Sequence, residues 1–281
     1  MSTIASLRAE LLRLRKWPVT WVITGVWLTL NLFFGYLLDY LSYRDAVGGG
    51  DQRLAGALLA QLSPAQVPST MVTGLPMFGS ALVLILAALA TGSGYGWNTW
   101  RTVFTQGPGR LSALGGTLLA LAVVLVGFTV LTLLTDLAAS AVVTATEGQA
   151  LTWPGLGELA EGLGGALLIG GTWAAGGALL GILARSPGLS VGLGLVWVLI
   201  VENLLRGVAS LLGALEAVTD VLPGTAAGSL AGALGAAGAA EVGGAPGVLT
   251  VLSGAQAIGL LAVYLVAFVV AAALVLTRRD A

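Results

Sequence analysis

Three charged residues of this chain sit where charge is costly. Asp136, Glu202 and Arg206 lie in or beside long apolar stretches, and an ionisable group buried in hydrocarbon is a functional candidate by default. Glu202 and Arg206 are four residues apart, the spacing of an ion pair on one helix face. They either neutralise each other near an outer interface or, with Asn203, form a polar part of a substrate path. Asp136 has no evident partner in its own neighbourhood, so it either lines a polar cavity or reaches headgroup level on a tilted helix. Other chemistry is scarce. The chain has no cysteine and no histidine. That removes disulfides, thiolate metal sites and cysteine nucleophiles, and with them the commonest general base and zinc or copper ligand. An intramembrane protease needs a nucleophile with its base, or two aspartates, and one well-placed aspartate does not supply that. No phosphate-binding G-x-x-x-x-G-K-[ST] loop occurs. The expectation is a non-catalytic chain with no metal, no cofactor of its own and no ATP hydrolysis.

The elements that must hold these residues follow from composition. Of 281 residues, 57% are apolar and 9% charged, and the mean hydropathy is +0.97. Soluble domains carry roughly 25% charged residues. The composition therefore predicts an all-α, polytopic membrane protein, read as one transmembrane domain over residues 1–281. A net charge of −1 gives no global attraction for nucleic acid. At about 20 apolar residues per crossing, six spans are expected, at 18–38, 71–90, 111–143, 163–183, 189–205 and 255–276. Residues 2–16 precede them as an amphipathic elbow helix, with Leu7, Leu11 and Leu14 on one face and arginines facing anionic lipid. The other reading of this start is a signal-peptide n-region, which no small-residue cleavage site supports. Trp17, Trp21, Tyr36 and Tyr40 suit the two interfaces of span one.

Between the spans, 39–70 reads as an exterior loop with a break at Gly48-Gly49-Gly50 and a short interfacial helix over 54–62. Span three is long enough that it must tilt or project. Residues 144–161 form a second exterior loop. Span four carries small residues at four-residue steps, Ala166, Gly170, Ala174 and Ala178, and again Gly177 and Gly181, the spacing that lets helices approach closely. The abundance of glycine equally fits a compositional bias. Residues 207–253 are rich in Gly and Ala and interrupted by Pro223 and Pro246. They read as short helices dipping into the outer leaflet, with a pair of half-spans as the alternative. Irregular backbone at that depth requires cover by protein or water.

Basic residues set the expected orientation. Of the twelve, Arg8, Arg13, Arg15, Lys16, Arg101, Arg110, Arg185, Arg278 and Arg279 fall on one side of a six-span topology, and Arg44, Arg53 and Arg206 on the other. The positive-inside rule then puts both termini in the cytosol of a cell that carries the protein in its plasma membrane.

The segment Gly94 to Arg110 lies on that cytosolic side. Its Gly and Pro ends isolate a short helix of about Trp97 to Gln106 whose Trp97, Trp100, Val103 and Phe104 form a bulky apolar face. Exposed tryptophan and arginine are common binding anchors, so this helix fits a partner's groove. Equally, it is an interfacial helix touching lipid. The segment resembles the coupling-helix region of ABC type-2 permeases, the membrane subunits of ATP-driven exporters. Asn98-Thr99-Trp100-Arg101-Thr102 followed by Gly107-Pro108-Gly109-Arg110 matches the latter part of their pattern. Gly94 stands where an acidic residue is usual, and Asn98 where glycine is usual. The elbow helix, six spans, cytosolic termini and broken exterior segment extend the resemblance over essentially all 281 residues.

The resemblance implies a permease that pairs with a second copy or paralogue. It would dock a separate ATP-binding subunit, which holds ATP and Mg, through Trp97, Asn98, Thr99, Trp100, Arg101 and Phe104. The cargo it implies is an amphipathic or hydrophobic compound such as a drug, antibiotic or lipid, with Asp136, Glu202 and Asn203 along its path. Two alternatives belong to other classes. An ion-gradient-driven secondary transporter would need midplane carboxylates and repeated halves, and a membrane scaffold would move nothing.

Overall fold

A computed structural model describes residues 3–96, 100, 109–209, 211–236 and 245–278. Among these the chain is helical, without a strand. The elements are α1 (Thr3–Lys16), α2 (Pro18–Gly48), α3 (Gln52–Gln61), α4 (Pro64–Gly96), α5 (Arg110–Thr146), α6 (Leu156–Ala184), α7 (Pro187–Ala209), α8 (Pro223–Ala231) and α9 (Gly254–Arg278). Six of them, α2, α4, α5, α6, α7 and α9, are long and apolar enough to cross a membrane. This is the architecture of a multi-pass membrane protein.

The starts of these helices are written in the sequence. Pro18, Pro187 and Pro223 occupy first helical positions, where the missing N–H costs nothing. Asp51 caps α3 by accepting the Leu54 N–H at 3.0 Å, and Ser186 caps α7 through Leu189 N–H at 3.4 Å. The reversal between α6 and α7 turns on Arg185, at φ 51°.

Several helices run past their expected ends. The 39–70 stretch is not an open loop: α2 continues to Gly48, α3 follows a turn, and α4 begins at Pro64. The polar residues that suggested a loop ride on helical turns extending beyond the apolar run. Likewise α4 continues through 91–96, and α6 begins at Leu156 within the expected second loop. With 37 residues, α5 is about 55 Å long at 1.5 Å per residue, well over the ~30 Å hydrocarbon layer.

The core gathers Trp27 of α2, Met71 and Leu75 of α4, Phe128 of α5, Ile169 and Trp173 of α6, Leu230 of α8 and Leu261 of α9. Packing is most extensive between α4 and α6. There Gly177 and Gly181 meet the α4 backbone directly: a Cβ on Gly181 would sit 2.9 Å from Ala88 O and Gly92 N. At these two positions, then, glycine serves close helix approach.

α1 is helical as expected, but it lies against α5, with Leu14 buried and Leu7 and Leu11 packed beside it. Arg13 is engaged within the protein. It donates to Ala90 O of α4 at 2.7 Å and pairs with Glu10 at 2.7 Å. Burial pushes the Glu10 carboxyl above its usual range, against the pull of Arg13 beside it.

The Gly/Ala-rich region after α7 forms α8, all nine of whose residues are buried. It packs on α9, α4 and α6. Beside it runs an extended stretch whose Leu249 N–H donates to Gly228 O at 3.1 Å and whose Leu252 N–H donates to Ser229 Oγ at 3.2 Å. The short helix is thus covered by protein on every side, and the irregular stretch beside it, half-buried to exposed, is fastened to it by these hydrogen bonds.

Candidate functional site

Two widened helical turns and one glycine kink border one cavity. α2 carries a π-turn at Phe33–Leu37, α4 one at Leu75–Gly79, and a third segment, kinked at Gly235 with φ 97°, follows α8 at Gly232–Ala236. Such turns recur at functional sites because they redirect side chains within a helix. Phe34 and Gly35 from the first, Phe78 from the second and Gly235 from the third line a cavity of about 650 Å³. α3 contributes Leu54, Leu58 and Gln61 to its wall. The Phe34 and Phe78 rings lie parallel with centroids 6.2 Å apart.

The cavity floor is polar. Asn31, buried and lining the cavity, donates through Nδ2 to Asp136 Oδ1 at 2.5 Å. Four residues earlier on α2, Trp27 donates through Nε1 to Thr132 Oγ1 at 2.9 Å. Since Thr132 and Asp136 are also four apart, α2 and α5 present matched polar residues at one-turn steps. Asp136 is fully buried, and its Oδ2 has no hydrogen-bond partner among the described residues. The sequence offered Asp136 no local partner. The structure supplies one from a helix 105 residues away.

Glu202 and Asn203 are elsewhere and do not line this cavity. Glu202 is 1% exposed. Its carboxylate accepts from Trp197 Nε1 at 2.7 Å, lies 3.8 Å from Arg206, and accepts the backbone N–H of Gly224 in the first turn of α8. A Cβ on residue 224 would collide with that carboxylate. The arrangement is an acidic side chain of α7 capping a different, buried helix, favourable to that helix's positive end. Asn203 holds Arg206 Nη2 at 2.8 Å, and Arg206 reaches Thr225 Oγ1 at 3.3 Å. The ion pair expected from the spacing therefore forms, its carboxylate buried and its guanidinium partly exposed, fastened to α8.

On the N-terminal side, Trp97, Asn98, Thr99, Arg101 and Phe104 lie outside the described residues. Trp100 is described, and its indole is 7% exposed, packed inward on α4. Nε1 donates to Thr91 O at 3.1 Å, and the ring packs on Tyr95 at 6.1 Å between centroids. The indole fills the space where a side chain on Gly94 would stand. Thr91 in turn donates through Oγ1 to Ala87 O at 2.9 Å and to Ala178 O of α6 at 3.2 Å.

At the opposite end of the bundle, Glu147 accepts from Tyr40 and Tyr43 hydroxyls at 2.7 and 2.8 Å and lies 3.8 Å from Arg44. The two hydroxyls hold the Glu147 carboxyl below the usual carboxylate range.

Hydropathy alone did not bring Trp27, Asn31, Phe34, Asp39 and Phe78 forward. The available signal was an asparagine inside an otherwise apolar span, one turn from a tryptophan. No group of acidic residues among those described is arranged to hold a metal ion. No protein-family model matches the chain, and no curated protein matches it.

Proposed function

We propose that this chain is the membrane permease subunit of an ATP-driven ABC exporter, forming the path for an amphipathic or hydrophobic compound. It has no engine of its own: a separate ATP-binding subunit, carrying ATP and Mg, drives it through the segment after α4. Both termini lie in the cytosol, the membrane is the cell's plasma membrane, and a second permease copy or paralogue completes the path.

The observation that carries this reading is the Trp100–Thr91–Ala178 chain of hydrogen bonds. A force applied to residues 97–108 enters α4 at Thr91 and passes at once to α6, its most extensively packed neighbour. Arg13 adds α1 to the same point through Ala90 O. A packed pair of helices moved by a ligand bound elsewhere is a rigid-body switch. The cavity bordered by two π-turns and the Gly235 kink is the place where such movement would alter a binding site.

The test is co-purification of the chain with an ATP-binding subunit and ATP-dependent flux in proteoliposomes. Trp100→Ala should leave the complex hydrolysing ATP while flux falls. Flux unchanged by Trp100→Ala would reject the force path.

One observation favours a second reading. Asp136 is buried with an unpartnered oxygen, as a proton- or sodium-coupled transporter would require at its core. Transport that survives ATP depletion and stops when the ion gradient is dissipated would select that reading.

A further inference from the structure

The walls of the 650 Å³ cavity are unequal in character. Phe34 and Phe78 present aromatic surface, with the buried Trp27 behind them, while Gln61 and Thr70 present neutral polar groups. Among the described lining residues one is ionisable, Asp39, and it is partly buried. No described cation lies within ion-pair distance of it. Arg44, the next cation along α2, is turned toward Glu147. The other polar groups of the floor are already engaged, Asn31 with Asp136 and the Trp27 N–H with Thr132.

A carboxylate with no cation partner among the described residues, in a cavity walled partly by aromatic rings, selects by charge. Ring faces attract cations, more strongly where water is excluded, and a carboxylate in a poorly screened site adds a Coulombic preference that neutral ligands do not share. The volume falls in the range of small-molecule sites, about 300–1,000 Å³.

We propose that this cavity binds a lipophilic monovalent cation, its ammonium- or phosphonium-type head on Asp39 and its apolar body against Phe34 and Phe78. The identification of that cation as cargo rests on the exporter reading; its binding does not.

The experiment uses the full chain in phosphatidylcholine nanodiscs, with radiolabelled tetraphenylphosphonium as the probe and neutral triphenylphosphine oxide as its comparator. Wild type should bind the cation saturably and more tightly than the oxide. Asp39→Asn should weaken cation binding by about tenfold or more and leave oxide binding unchanged. Asp39→Glu should retain it, and Asp45→Asn, on the same helix but off the cavity, should have no effect. Cation binding unaltered by Asp39→Asn, or an oxide bound as tightly as the cation by wild type, would overturn the proposal. If Asp39→Asn does not fold, the wild-type comparison of cation with oxide decides alone. Cation binding that no ATP-binding subunit converts to flux refutes the exporter reading and leaves this proposal standing. ATP-driven flux of a neutral lipid without tetraphenylphosphonium binding does the reverse.

Discussion

Asn31 and Asp136 face each other across α2 and α5, the amide donating to the carboxylate at 2.5 Å with both side chains buried. This bond fixes the floor of the cavity and couples its shape to the register of two spans. Interhelical hydrogen bonds in membranes contribute about 0.6 kcal/mol on average and up to about 1.7 kcal/mol. Asn31→Leu should cost more than the average, about 1–2 kcal/mol, because it leaves the carboxyl unpaired. Asp136→Asn preserves an acceptor and should cost less. Thermal unfolding of the two variants in nanodiscs orders them, and the reverse order would contradict the assignment.

Glu147 makes stability depend on acid. Its folded carboxyl titrates below the ordinary value because Tyr40 and Tyr43 donate to the ionised form. The contribution is therefore complete above the unfolded pKa, about 4.3, and is lost as pH falls through the lower folded value. Melting temperature should drop in that window for wild type. Glu147→Gln should start lower and show a smaller drop there, and identical acid profiles would remove the clasp from the account.

Glu202 caps α8 from another helix, so its loss should loosen α8 specifically. Glu202→Ala leaves Arg206 without its acidic partner and the Gly224 N–H without an acceptor, a cost of about 3 kcal/mol for breaking a buried pair. Hydrogen exchange across 223–231 should accelerate while that of α5 stays slow. Uniform acceleration would mean a global effect instead.

Gly181 permits α6 to touch α4. A valine there meets Ala88 O and Gly92 N, backbone atoms that no rotamer change can move aside. A cost of about 1–3 kcal/mol is expected. Gly164→Val, on the same helix facing open space, should be tolerated. Equal melting temperatures for the two variants would refute the close-approach role.

The six spans were legible because long apolar runs need no partner to be recognised. Their ends were not, since the turns carrying Asp39 to Gly48 and Pro64 to Thr70 are polar yet helical, and hydropathy stops at the hydrocarbon edge while a helix need not. α8 was readable only as a broken segment. Its small residues are buried on every side, so they leave no periodic stripe. The Glu202–Arg206 pair announced itself by spacing, whereas Asn31–Asp136 joins residues that only tertiary packing brings together. Trp100 belongs to a bulky face in sequence, and only its packing over Gly94 reveals that its own indole turns inward.

The most direct test of the central claim is photo-crosslinking from position 101, with a photoreactive amino acid replacing Arg101 in the full chain expressed in cells, followed by mass spectrometry of what is captured. The account predicts a separate polypeptide bearing a phosphate-binding loop, captured at this position and not from position 147 at the other end of the bundle. Capture of lipid alone at position 101 would contradict it.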